Sequence, residues 1–187
     1  DISMQVSIEK RMSSSSKFTL NNFSSELEFR KIDRFDESLN ALWEEAKEHF
    51  KVILIRSKGF LNWRYIERPD AIYYPFGAYD SGKLVGYCIL KLYQENNILR
   101  GHFLDLFTVP NKRTYGCFLV QKGLEFFAEK KVDSVNLWMQ GSPFFLDILS
   151  EYGFIEGSSR PMICRFNVDQ VKFKPIMTED NWYFTMG

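Results

Sequence analysis

The sequence predicts one α/β (α+β) domain on a mixed, mostly antiparallel sheet with helices on both faces, and three observations carry that prediction. The chain has 187 residues, 45% of them hydrophobic, with 18 Phe, 9 Tyr and 4 Trp, enough for one large core and too apolar for a disordered chain. Three strand-like runs follow one another with short turn-forming separators. After Pro110 the apolar period changes to that of a helix, and helix and strand then alternate.

Residues 1–23 contain Ser13–Ser16 and read as a partly disordered tail, leaving 24–170 as the domain. Leu27, Phe29 and Ile32 suggest a strand, and Asp36 can cap a helix with Leu39, Trp43, Ala46 and Phe50 on its apolar face. A short helix over 59–67 is ended by Pro69. Strands are predicted over 73–79, 84–93 and 99–109, joined at Asp80-Ser81-Gly82-Lys83 and Gln94-Glu95-Asn96-Asn97. Cys117, Val120, Leu124 and Phe127 then share one helix face. Residues 132–139 read as a strand. Ser142, Pro143 and Gly153 mark the two ends of a following helix. A last strand is predicted over about 161–168. Residues 171–187 are apolar enough to pack on the body or on a partner, a second copy of the chain included.

Twenty-four basic and 24 acidic residues give a formal charge of zero, which argues against a nucleic-acid-coating role. Cys88, Cys117 and Cys164 are odd in number and lack ligand spacing, and His49 and His102 stand 53 positions apart, so no metal site is expected. No run approaches membrane-span length and no leader pattern is present, which reads as a soluble, cytoplasmic protein with no membrane partner. Gly77 to Lys83 nearly spells a P-loop, but Leu84 stands where a hydroxyl must hold magnesium.

The segment with chemistry in it is Asp105 to Phe118, where a strand turns directly into the best helix. Such a turn presents free backbone N–H groups and the positive end of the helix dipole, suited to a pyrophosphate, and Lys112 and Arg113 add charge there. Asp105 is the candidate general base, because an ionisable group in an apolar strand is costly unless it faces a wet cleft or a partner. His102 ranks below it, since strict alternation would put it on the opposite face.

In this segment Pro110, Arg113 and Gly116 fall in the register of the acyl-CoA motif of the GCN5-related N-acetyltransferase (GNAT) superfamily, which the chain resembles from about Glu26 to Val168. Glu151-Tyr152-Gly153-Phe154 looks like the Gly-Phe that ends the family's last helix. Phe60 to Tyr65 and Asn181 to Gly187 are similar to a bacterial subgroup of unsettled substrate. The resemblance implies acyl transfer, typically acetyl from acetyl-CoA, to a primary amine of a small molecule, sugar or peptide. It implies that the backbone of Phe107, Thr108 and Val109 takes the pantetheine arm. The pyrophosphate would lie by Lys112 and the amides of Arg113, Thr114, Tyr115, Gly116, Cys117 and Phe118, and Trp63, Arg64 and Tyr65 would border the acceptor. Three departures stand out. Phe118 replaces the motif's second glycine and is expected to crowd the phosphate. Leu149 replaces the tyrosine acid, for which Tyr152 is the candidate substitute, and Ser142 replaces a frequent Asn. A silent GNAT-like binding domain and a FemAB-like aminoacyl transferase half are the rival implications.

Overall fold

The computed structural model describes residues 4–12, 22–140, 142–161 and 182–185. Its strands are β1 (Met4–Arg11), β2 (Leu27–Lys31), β3 (Val52–Ile53), β4 (Tyr74–Asp80), β5 (Lys83–Glu95), β6 (Ile98–Thr108), β7 (Ser134–Gln140), β8 (Ile155–Pro161) and β9 (Trp182–Thr185). The helices are α1 (Ser38–Lys47), α2 (Lys58–Tyr65), α3 (Arg113–Glu129) and α4 (Pro143–Glu151). The main sheet runs β2-β4-β5-β6-β7-β1-β8. Along this path only β6 and β7 are parallel.

The two hairpin turns form where expected. Ser81 and Gly82 have φ of 49° and 80°, and Asn96 and Asn97 have 51° and 64°. Positive φ at both central residues is what a two-residue hairpin loop needs to match the strand twist. Asp36 does act at the start of α1, accepting from the Ser38 N–H at 2.9 Å and the Ser38 hydroxyl at 2.6 Å. Gly153, with φ of 78°, follows α4 as its left-handed terminator.

Helix α3 covers one face. A Cβ on Gly101 would lie 2.6 Å from the Phe127 ring and one on Gly123 would lie 2.5 Å from Phe103, so these glycines set how closely helix and sheet approach. Helix α1 covers the other face, where Trp43 stacks on Phe107 at 6.1 Å.

Three expectations need correction. Met4–Arg11 are not tail: they form β1, paired with β7 from Val6↔Met139 to Arg11↔Ser134 and with β8 on the other side. The alternation Met4, Val6, Ile8 against Gln5, Ser7, Glu9 is a strand pattern that the serine run beside it obscured. A strand, β8, occupies Ile155–Pro161, where none was expected; the strand expected over about 161–168 lies, apart from Pro161, outside the described residues. Finally, β6 is not regular. Ile89 pairs with Asp105 but Leu90 pairs with Phe103, so Leu104 is an extra residue, a β-bulge. The bulge resets the alternation: Phe103 faces α3 and Phe107 faces α1. His102 and Asp105 therefore share the α1 face instead of lying on opposite faces.

Candidate functional site

Strands β6 and β7 stay paired only from Arg100↔Ser134 to Phe103↔Leu137, then part. The bulge at Leu104 starts the divergence, because a bulged strand bends and twists away from its partner. Beyond it, among the described residues, no strand pairs with the β7-facing edge of β6. The opening points toward the start of α3, which no side chain caps and whose first turn holds no acid. The first bonded N–H groups there are those of Tyr115 and Gly116, both onto the Lys112 carbonyl. A cleft of about 360 Å³ beside this helix start is lined in part by Asp80, Lys83, Lys112 and Tyr115.

The basic residues of the turn divide. Lys112 and Thr114 are exposed. Arg113 bridges to α4 through Asp147 at 2.7 Å and Glu151 at 2.6 Å, so its charge is largely matched. Tyr115 donates to Asp80 at 2.6 Å, and that bond pushes its phenol up to about 12. Gly116 serves the helix pair: a Cβ there would fall 2.7 Å from Ile148 of α4. Cys117 is buried in α3. The expected obstruction by Phe118 is absent. Its ring meets Phe23 at 5.1 Å and Phe29 at 6.2 Å, toward β2 and away from the helix start, because position 118 falls on the sheet-facing side of α3.

Under the opening sits a buried polar network. Asp105 is 3% exposed, and its carboxylate accepts from Arg56 Nε and Nη2 at 3.1 Å each, from the Tyr87 and Thr185 hydroxyls at 2.8 Å, and from the Leu106 N–H at 3.0 Å. Five donors exceed the roughly four lone-pair sites a carboxylate offers. Asp105, expected to face a wet cleft as a base, is therefore a saturated partner of Arg56. The guanidinium lies 4.9 Å from the Phe107 ring centre and 5.0 Å from that of Tyr183. Burial opposes the charge on Arg56, but the Asp105 carboxylate outweighs it and holds the group above its ordinary value. The Tyr87 phenol is pushed up by burial and then by Asp105.

Strand β9 fills the inner part of the opening. It pairs with β7 through Met139↔Thr185 and Gln140↔Phe184, on the edge that β1 leaves free, and with β3 in parallel through Val52↔Trp182 and Ile53↔Tyr183. Tyr183 is fully buried, stacked on Phe50 at 4.9 Å and Phe145 at 5.3 Å, and its hydroxyl donates to the Leu106 carbonyl. Both backbone groups of Leu106 are thus taken, one by Asp105 and one by Tyr183.

The remaining candidates scatter. Phe107, Thr108 and Val109 do line the parted edge, with the Thr108 hydroxyl on the Val85 carbonyl at 2.7 Å. Tyr152, expected as an acid, is buried at the end of α4 with its hydroxyl 3.4 Å from Gln121 of α3, so it belongs to the contact between those helices. Trp63 is 57% exposed and Arg64 half-buried. Tyr65 alone of that trio reaches the network, its phenol raised by burial and then by the Asp105 charge. Sequence reasoning missed Arg56, since nothing in Leu54-Ile55-Arg56-Ser57 tells an inward arginine from a solvated one. It also missed Asn62, whose side-chain amide accepts from the Phe35 N–H and donates to the Phe35 carbonyl, both at 2.8 Å.

No described helix is long and apolar enough to cross a membrane. No family model matches the chain, and no curated protein matches it in sequence. Among solved structures it is similar to a GCN5-related N-acetyltransferase from Anabaena variabilis, at TM-score 0.59 and 13% identity over 86% of this chain and 39% of that one. It is also similar to a conserved Enterococcus faecalis protein of unknown function and probable N-acyltransferase activity, at TM-score 0.58 and 14% identity, covering 86% and 38% of the two chains. A third is a GCN5-related N-acetyltransferase from Sphaerobacter thermophilus, at TM-score 0.52 and 14% identity over 84% and 50%. The chain thus spans half or less of each of these proteins. Parted parallel strands over an uncapped helix start, together with these structural likenesses, give the chain the fold of the GCN5-related N-acetyltransferases.

Proposed function

We propose that the chain binds an acyl-CoA and transfers its acyl group to a primary amine. The observation that carries this reading is the uncapped start of α3 at the mouth of the parted β6–β7 pair. Acyl-CoA supplies an activated thioester. The residues present suit its diphosphate end: the N–H groups of Arg113 and Thr114 are placed to donate, the helix dipole favours the negative charge, and Lys112 adds a mobile cation. The edge of β6 at Phe107, Thr108 and Val109 has no β7 partner, so an extended arm would add there, although all three residues are buried in the structure as it stands. The new bond is amine nitrogen to acyl carbon and the broken bond is carbon to sulfur, with one ammonium proton lost and the thiolate taking up another. By the family resemblance, Trp63, Arg64 and Tyr65 would border the acceptor.

A domain that binds without turnover is the second reading. It is favoured by Asp105, the candidate base, whose carboxylate already accepts five hydrogen bonds.

Acetyl-CoA at about a hundred times its Kd is expected to stabilise the fold by about 2.7 kcal/mol, a rise in Tm of several degrees. Thr114→Asp is the diagnostic variant. A carboxylate in the first turn of α3 complements the dipole, so the free protein should melt at the same temperature or slightly higher, while repulsion of the diphosphate removes the ligand-induced rise. Gly116→Asp is the poorer choice, because its Cβ would strike Ile148 and unsettle the helix pair. No rise in the unaltered protein, or a rise that survives Thr114→Asp, would sink the acyl-CoA assignment. A rise without any acylated amine over a panel of peptide, sugar and polyamine acceptors would select the second reading.

A further inference from the structure

We propose that the cavity between α3 and the β2 edge of the sheet binds a planar aromatic molecule that carries an ammonium group. This site is separate from the acyl-transfer opening and does not depend on it.

The cavity exists because of where α3 lies. Gly101 and Gly123 let the helix press onto the middle of the sheet, where their Cβ positions fall 2.6 Å from Phe127 and 2.5 Å from Phe103. Strand β2 is an edge, paired among the described residues with β4 alone, and its Leu27 and Phe29 line the gap left beside the helix. The gap holds about 520 Å³, within the roughly 300–1,000 Å³ usual for small-molecule sites. Its acidic end at Phe126 and Glu129 lies far from the diphosphate end of α3: Phe126 stands about 18 Å along the helix axis from Thr114.

The walls are aromatic. Phe29 and Phe76, from β2 and β4, stack at 4.6 Å, Phe126 of α3 tilts against Phe76 at 5.4 Å, and Phe118 meets Phe29 edge-on at 6.2 Å. Phe29, Phe76 and Phe126 are each only half-buried, so ring surface from all three stays in water, and a planar aromatic ligand would cover it favourably.

The rim sets the charge. Glu125 is already satisfied, by Lys122 at 2.7 Å and by Gln121 at 3.1 Å. Glu129, one turn further on the same helix face, lines the cavity with no hydrogen bond or ion pair to any described residue. Lys122 and Glu125 cancel, which leaves one unmatched negative charge in the lining. Phe126 also attracts a cation of the chain itself, the Lys130 ammonium 5.6 Å from its ring centre. A ligand ammonium would gain the same two attractions, a ring face and a carboxylate, whereas an anionic ligand would meet Glu129 as repulsion.

The test uses the full chain without acyl donor, and calorimetric titration with tryptamine, indole and indole-3-acetate at neutral pH. These share one ring system and differ in charge. Tryptamine should bind at least tenfold more tightly than indole-3-acetate and at least threefold more tightly than indole. Glu129→Gln, at an exposed position, should remove the advantage over indole and leave indole's own affinity unchanged. Lys130→Gln, which removes the competing cation, should leave tryptamine binding equal or tighter. Phe29→Leu keeps an apolar side chain but loses the stacked ring, and should weaken tryptamine at least fivefold. No tryptamine binding by a chain that melts cooperatively, equal affinity for the three compounds, or displacement of tryptamine by acetyl-CoA would overturn the proposal. Should Phe29→Leu not fold, Glu129→Gln decides alone, and an undiminished preference for tryptamine there overturns it. Stabilisation by acetyl-CoA is a separate measurement, so either result can fail while the other stands.

Discussion

Replacing Arg56 by Met should cost about 3–5 kcal/mol of folding stability, the largest effect of any single substitution near the opening. Arg56 is 1% exposed and Asp105 3%. Removing the guanidinium leaves a carboxylate buried with no cation, held only by Tyr87, Thr185 and the Leu106 N–H. Met fills much of the arginine stem's volume, so the loss is electrostatic and not a packing defect. Adding Asp105→Asn removes the stranded charge while keeping an acceptor for Tyr87, and should restore about 1–3 kcal/mol of the loss. Denaturant melts of the two single variants and the double variant form the cycle. An additive double variant would mean that Arg56 and Asp105 are not energetically paired.

Lowering the pH from 6.5 toward 4 should cost about 3 kcal/mol through His102 alone. Burial in β6, with the Lys91 charge second, draws its imidazole down from 6.5 to about 4. His102 Nε2 has no hydrogen-bond partner, so nothing compensates a proton there. The folded pKa lies below the unfolded one, so between these values the unfolded chain binds a proton that the folded chain refuses. The stability that a neutral His102 provides is therefore complete above about pH 6.5 and lost as pH falls to about 4. Acidic groups also titrate toward the low end, so the informative quantity is the difference from His102→Gln. That variant should lose less stability between pH 6.5 and 5, and parallel curves for the two proteins would refute the assignment.

Most of the fold from β2 to α4 could be read because its signals are local. The α3 stripe of Cys117, Val120, Leu124 and Phe127, the left-handed pairs Ser81-Gly82 and Asn96-Asn97, and the Pro143 and Gly153 ends of α4 each depend on residues within a turn or two. The site was less legible because it depends on register and on distant partners. One extra residue, Leu104, turns His102 and Asp105 onto the same face, and no alternation rule anticipates a bulge. Asp105 was identified as unusual for a sound reason, the cost of burying a charge. Its partners Arg56, Tyr87 and Thr185 lie 49, 18 and 80 positions away, so sequence could not distinguish a satisfied ion pair from a poised base. Phe118 misled in the same way: a bulky residue in a glycine position obstructs only if it points at the ligand, and the helix turns it toward Phe23 and Phe29.

The placement of β1 also bears on how the chain is made. Met4–Arg11 leave the ribosome before everything they pair with, and Val6 meets Met139 across more than 130 intervening positions. During synthesis this segment is an orphaned strand with alternating apolar side chains, able to recruit a neighbouring nascent chain until Ser134–Pro161 emerge. Closure of the far half of the sheet is therefore a late, long-range step, and slowed translation upstream of residue 134 should lengthen the window for aggregation.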